Sequence, residues 1–139
     1  MSQKTILIVD DDPEIRLSLQ VRLKANHYGV VFAEDGVTAI SEARKHMPHL
    51  IILDLGLPAG DGFSVLERLK ANLSLSSIPI IVFSARDRNA NGERAIKAGA
   101  IAFLQKPVDN ARLLSVIRNA LGEKGESAPV VYDLDRAIH

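Results

Sequence analysis

Short apolar runs alternate along this chain with segments of helical periodicity, and the runs share a habit of ending on polar residues. Ile6 to Val9 runs into Asp10-Asp11-Asp12, Leu50 to Leu53 into Asp54, Ile80 to Phe83 into Ser84, and Phe103-Leu104 leads through Gln105 to Lys106-Pro107. Apolar runs with no alternating polar face predict strands buried on both sides of a parallel sheet. The segments between them repeat apolar residues at helical spacing, as at Ile15, Leu19 and Leu23, which predicts a helix with one buried face. Strand and helix in turn make βα units, so the fold class is α/β.

Five units can be traced. The first strand is Thr5 to Val9, and the next helix opens at Pro13 with Asp12 placed to cap it. A second strand covers Val30 to Ala33, and a second helix covers Gly36 to His46, stopped by Pro48. Leu50 to Leu53 is the third strand, Leu55 to Gly62 a loop, Phe63 to Leu69 a third helix, and Ser74 to Ser77 a polar connection. The fourth strand, Ile80 to Phe83, precedes a helix from Asn89 to Ala98 with Gly99 as its left-handed stop. Ala102 to Gln105 is the fifth strand. The last helix runs from about Asn110 to Leu121 behind Asp109, and its apolar residues cover more than one narrow stripe. One domain, residues 1–122, accounts for the periodic part. Residues 123–139 read as a flexible tail, either a frayed terminus or the stump of a connection to another domain.

Composition narrows the function. The 139 residues suffice for one core and not for two full domains. Seventeen basic and seventeen acidic residues cancel, which argues against direct nucleic-acid binding by this chain. With no cysteine there is no thiolate metal site and no need for an oxidising compartment. The opening Met1-Ser2-Gln3-Lys4 leads into too short an apolar stretch for a signal peptide or a membrane span, so a cytoplasmic protein is expected.

If every run is a strand of one parallel sheet, Asp10, Asp11, Asp54, Ser84 and Lys106 emerge at the same edge, where open α/β folds build their sites. Unit negative charges about 4 Å apart repel by roughly 4 kcal/mol at an effective dielectric near 20. A cation must therefore sit among the acids. Mg²⁺ suits carboxylate and phosphate oxygens, Lys106 adds a point charge for a phosphoryl oxygen, and a carboxylate can act as nucleophile. Phosphoryl transfer is the leading chemistry.

The stretches ILIVDDDPEIR, LIILDLGLPAGDGFSVLERLK, IIVFSA and AGAIAFLQKP, in this order and spacing, resemble the receiver domain of two-component response regulators. The resemblance covers residues 5–121. It implies a flavodoxin-like, doubly wound, five-stranded parallel sheet of order 2-1-3-4-5 with five helices. It also implies that Asp54 is the phosphoacceptor and that Asp10, Asp11, Asp54 and the Gly56 carbonyl hold Mg²⁺. Ser84 would follow the phosphoryl group and Lys106 would bind it, with a cis bond to Pro107. The implied partners are a sensor histidine kinase or phosphotransfer protein as donor, and an effector protein or domain met by the fourth helix, fifth strand and fifth helix. A phosphorylation-dependent homodimer is a further assembly of this kind. Arg86, Arg88, Arg94 and Lys97 are expected to make that face positive, beside spare apolar residues of the last helix. Such a chain is a signalling phosphoacceptor rather than an enzyme with a turnover substrate.

Plainer readings stand beside these. Asp12 reads as a cap ahead of a metal ligand, and Phe103 stays open between core aromatic and switch residue, without the hydroxyl of the tyrosine frequent there. Gly56 leaves space beside the phosphoacceptor. Gly60, Gly62 and Gly99 read as turn residues, and the four histidines show no metal or relay spacing. An alternative enzyme reading is a haloacid-dehalogenase-type phosphohydrolase with Asp10 as nucleophile, which leaves Asp54 unused. A flavodoxin-like FMN carrier is disfavoured because an acidic first loop repels phosphate.

Overall fold

The computed structural model describes residues 3–57 and 61–123. Its elements run β1 (Thr5–Val9), α1 (Pro13–Ala25), β2 (Gly29–Ala33), α2 (Gly36–His46), β3 (Leu50–Leu53), α3 (Gly62–Ala71), β4 (Ile80–Ser84), α4 (Arg88–Lys97), β5 (Ala102–Gln105) and α5 (Asn110–Ala120). All four strand pairings are parallel and the sheet order is β2-β1-β3-β4-β5. This is the flavodoxin-like order that the receiver resemblance implied, built on the α/β alternation read from the apolar runs. Boundaries moved by one or two residues: Ser84 ends β4 inside the sheet, and Gly62 opens α3 behind the capping Asp61. The proposed tail from residue 124 onward, and Gly60, lie outside the described residues.

Strand side chains divide by alternation between the two faces of the sheet. Leu7, Val9, Ile51, Leu53, Ile80, Val82 and Phe103 join the core cluster made with α2, α3 and α4. Ile6, Ile8, Leu50, Ile52, Ile81, Phe83, Ala102 and Leu104 join the cluster made with α1 and α5. The three middle strands are covered on both sides, which is why their interiors are apolar and their only polar residues, Thr5 and Ser84, stand at strand ends.

Each helix starts on an aspartate. Asp12, Asp35, Asp61, Asp87 and Asp109 are the five N-caps, and each carboxylate accepts a backbone N–H of the first turn. Asp35 and Thr38 form a reciprocal capping box. Because every helix follows a parallel strand, all five positive helix ends lie toward the edge where the strands finish. Gly99, with φ +117°, closes α4 in a backbone region costly for other residues, and the stem of Lys70 fills the space beside it. The Lys70 ammonium donates to the carbonyls of Ser76 and Ile78, and burial holds its pKa below the ordinary lysine value. That arrangement pins the connection entering β4. His49 likewise proves structural: its backbone N–H donates to the Thr5 carbonyl and its Nδ1 accepts the Thr5 N–H.

Candidate functional site

Strand register alone brings the first two acids together. Val9 pairs with Leu53, and the ladder continues through the Asp54 N–H to the Val9 carbonyl at 2.9 Å, so Asp10 and Asp54 leave neighbouring strands at the same level. Asp11 joins them from the turn before α1. Each of Asp10, Asp11 and Asp54 offers an oxygen within 4.8 Å of the others. Asp10 and Asp54 are buried, while Asp11 is exposed. An all-oxygen set of this sort, open on one side, fits a hard divalent cation that keeps some of its water.

Lys106 enters from the far edge strand. Its stem crosses β4 with the ammonium 5.3 Å from the centre of the Phe83 ring, and its Nζ donates to Asp10 Oδ2 at 2.8 Å. The same nitrogen lies 3.5 Å from Asp54 Oδ2. The Lys106–Pro107 peptide is cis, as the receiver resemblance implied. Asp10 Oδ1 accepts the Asp12 N–H, and Asp54 Oδ1 accepts the Gly56 N–H at 3.1 Å. Loss of hydration on burial raises the Asp10 pKa above its ordinary value, against the opposing hydrogen bonds from Lys106 and Asp12. Arg16 reaches over the same turn to hold the Asp10 carbonyl at 2.7 Å.

Ser84 is buried at the end of β4, and its hydroxyl accepts the Arg86 N–H at 3.1 Å, while its carbonyl accepts the Lys106 N–H at 2.7 Å. Phe103 is turned inward, with 1% of its surface exposed, into the cluster shared with Phe63 and Leu66. It also floors a cleft of about 420 Å³ along the free side of β5, rimmed by Arg88, Lys106, Pro107, Val108 and Arg112. Asp12 caps α1 by accepting the Glu14 N–H, as the plainer reading had it.

Two expectations about the surface need correcting. Arg86 pairs with Asp61 at 3.5 Å and Lys97 with Glu93, so these two charges are matched by acids. Arg94 keeps its charge but lies 3.8 Å above the Phe63 ring of α3. Nor does α5 hold apolar residues in reserve, since Leu113, Leu114, Val116 and Ile117 are all buried against the sheet and α1. A single sequence shows periodicity but not which neighbours crowd a helix.

Gly62 is a site residue that the motif reading passed over as a turn glycine. Its α-carbon is pressed onto the chain that follows Asp54: a Cβ built there would stand 2.7 Å from the Asp54 carbonyl and collide with the Leu55 backbone. Its N–H donates to the Leu55 carbonyl at 3.0 Å. The one available signal was a glycine immediately after the capping Asp61.

The family model described as the response regulator receiver domain matches residues 6–118. The chain belongs to the response regulator receiver family. Among the relatives of this receiver is response regulator PleD of Caulobacter vibrioides, 36% identical over 115 residues that cover 82% of this chain and 25% of PleD. The transcriptional regulatory protein KdpE of Mycobacterium tuberculosis is 36% identical over 116 residues, 84% of this chain and 50% of KdpE. The receiver thus spans from a quarter to a half of the length of these relatives. The chemotaxis response regulator CheY4 of Vibrio cholerae superposes with a TM-score of 0.80 at 26% identity, covering 86% of this chain and all of CheY4. The receiver domain of sensor histidine kinase PA1611 from Pseudomonas aeruginosa, solved with a magnesium ion in its active-site cleft, matches with a TM-score of 0.80 at 27% identity. That likeness covers 88% of this chain and all of the PA1611 domain.

Proposed function

We propose that this receiver accepts a phosphoryl group on Asp54 in a two-component relay. The observation carrying this reading is the Asp54 carboxylate, buried at a strand end, 3.5 Å from the Lys106 ammonium and in one oxygen cluster with Asp10 and Asp11. Asp10, Asp11, Asp54 and the Gly56 carbonyl would hold Mg²⁺, as the PA1611 domain holds magnesium in its cleft. When bound, the ion supplies positive charge to the oxygens of the group being transferred.

An Asp54 oxygen attacks phosphorus in line. The bond from phosphorus to the donor breaks, the electron pair leaves with the histidine nitrogen of a kinase or phosphotransfer protein, and an acyl phosphate remains. Lys106 stabilises the charge gathered on the equatorial oxygens. The product places new acceptors beside β4. The Ser84 hydroxyl then exchanges the Arg86 N–H for a phosphoryl oxygen, which frees the start of α4 and lets Phe103 repack. An effector protein or domain reads the change at α4, β5 and α5, and the same face can pair two phosphorylated copies. The setting is cytoplasmic, and the chain acts as a signalling phosphoacceptor with only self-phosphorylation and self-dephosphorylation chemistry.

The dehalogenase-type reading draws no support from the family match. Asp10 is also the worse nucleophile by position: it is 2% exposed, and both its oxygens already accept close hydrogen bonds. The test is incubation with Mg²⁺ and acetyl phosphate followed by intact mass. One phosphoryl group per chain is expected, lost in Asp54→Asn. Sustained release of phosphate that survives Asp54→Asn and stops in Asp10→Asn would instead establish a phosphohydrolase.

A further inference from the structure

The end of the sheet remote from the acids holds a second polar cluster that phosphoryl chemistry does not use. Glu123, just beyond α5, accepts the Tyr28 hydroxyl on Oε1 at 2.8 Å and faces Lys4 Nζ through Oε2 at 3.1 Å. The Lys4 ammonium also reaches the Leu121 carbonyl, one of the groups a helix leaves unpaired at its C-terminus. Arg118 donates to Asn26 Oδ1 at 3.2 Å, and Asn26 in turn donates to the Arg22 carbonyl. Lys4, just ahead of β1, and Asn26 and Tyr28 of the α1–β2 turn therefore grip the last six described residues of the chain.

The grip is built rather than incidental. Tyr28 is 5% exposed, and the turn presenting it passes through His27 at φ 73°, a conformation that non-glycine residues seldom adopt. The Gly122 φ of +69° turns the chain so that the Glu123 N–H returns to the Arg118 carbonyl at 2.9 Å and the side chain points at Tyr28. Burial resists ionisation of Glu123, yet the Tyr28 and Lys4 hydrogen bonds more than compensate and leave its pKa below the ordinary value. The pair is thus a charge-assisted bond with both partners partly out of water.

We infer that Lys4, Tyr28 and Glu123 form a clamp that fixes where and in what direction the chain leaves the receiver, at the edge of the fold opposite the acids. Residue 123 is thereby held against the residue ahead of β1 and the turn entering β2, rather than left at a fraying helix end. Tyr28 and Glu123 are positioning residues, and the inference does not rest on the phosphoacceptor role of Asp54.

Amide hydrogen exchange on the full chain tests this, comparing the parent with Tyr28→Phe and Glu123→Gln. Each variant nearly keeps the shape of the side chain: Tyr28→Phe removes the hydroxyl donor, and Glu123→Gln removes the negative charge that faces Lys4. Loss of a charge-assisted hydrogen bond predicts exchange about 10-fold faster or more across residues 118–123. Exchange in β3 and β4 should stay at the parent rate, as should phosphate incorporation from acetyl phosphate. Two results overturn the clamp: exchange at 118–123 unchanged in both variants, or a rise of equal size throughout the sheet, which would make the contacts part of global stability only.

Discussion

At position 106 one ammonium faces two carboxylates, 2.8 Å from Asp10 and 3.5 Å from Asp54, with the exposed Asp11 adding a third negative charge. The local excess is negative, so a divalent cation that binds there stabilises the fold by mass action. An ion at about 100 times its dissociation constant adds about 2.7 kcal/mol. Mg²⁺ should therefore raise the melting temperature of the parent by several degrees. Asp11→Asn, which removes an exposed ligand without emptying the core, should need about tenfold more Mg²⁺ for the same rise, or ~1.4 kcal/mol of binding. A calorimetric titration checks both. At the other end of the sheet, burial and then the hydrogen bond to Glu123 push the Tyr28 phenol up to about 12 from 10.0. The folded state keeps the proton longer than the unfolded chain does. Stability from this group is thus whole below pH 10 and declines as pH rises through the interval to about 12. Phenolate absorbance in a Tyr132→Phe background should show Tyr28 titrating near the upper end, and Glu123→Gln should bring it down.

Among the elements, the junction of β3 with α3 is the least tolerant of change. Gly62 lets the first turn of α3 lie against the backbone of Leu55 and Asp54. Gly62→Ala forces that turn away and moves the Asp54 carboxylate with it. A loss of about 1–3 kcal/mol in urea unfolding is expected, together with slower phosphorylation by acetyl phosphate at full Mg²⁺ occupancy. Unchanged kinetics in a folded variant would show that the contact does not position Asp54. This residue also marks where reading the chain ran out. Asp10, Asp54 and Lys106 were legible because a charge at the end of a buried strand must be matched by something, and the strands themselves were unmistakable. The value of Gly62 lies in a close approach that has no local pattern. The same is true of Arg94 over Phe63 and of Arg86 against Asp61, where long side chains chose partners on another helix.

Over the whole molecule the covering of the sheet is uneven. The α1 and α5 side is tied to the strands by large apolar residues, including Leu19, Leu23, Leu113 and Ile117, whereas α4 buries only Gly92 and Ala95. Its remaining attachments are the partly buried Ile96 against the core and two polar contacts, Arg94 on Phe63 and the Arg88 N–H to Gln105 Oε1. Rearrangement on phosphorylation should follow the weaker attachment. Amide NMR shifts on adding acetyl phosphate and Mg²⁺ are expected to concentrate in residues 84–106 and the start of α5, and to be small at residues 23–29 and 118–123. A uniform pattern would argue against an output face at α4, β5 and α5. The strand order came with the receiver resemblance, whereas the alternation of strand and helix was open to inspection from periodicity because parallel strands need helical crossovers. The strength with which each helix is held was not, since it depends on volumes meeting in three dimensions.

The contact between Lys106 and Asp10 joins positions 96 residues apart. During synthesis the acids emerge from the ribosome first, and the amine that answers them arrives only when the last strand has been made. A nascent chain stopped before that strand carries both carboxylates without their counterion, so this end of the sheet is the last part of the fold to be completed.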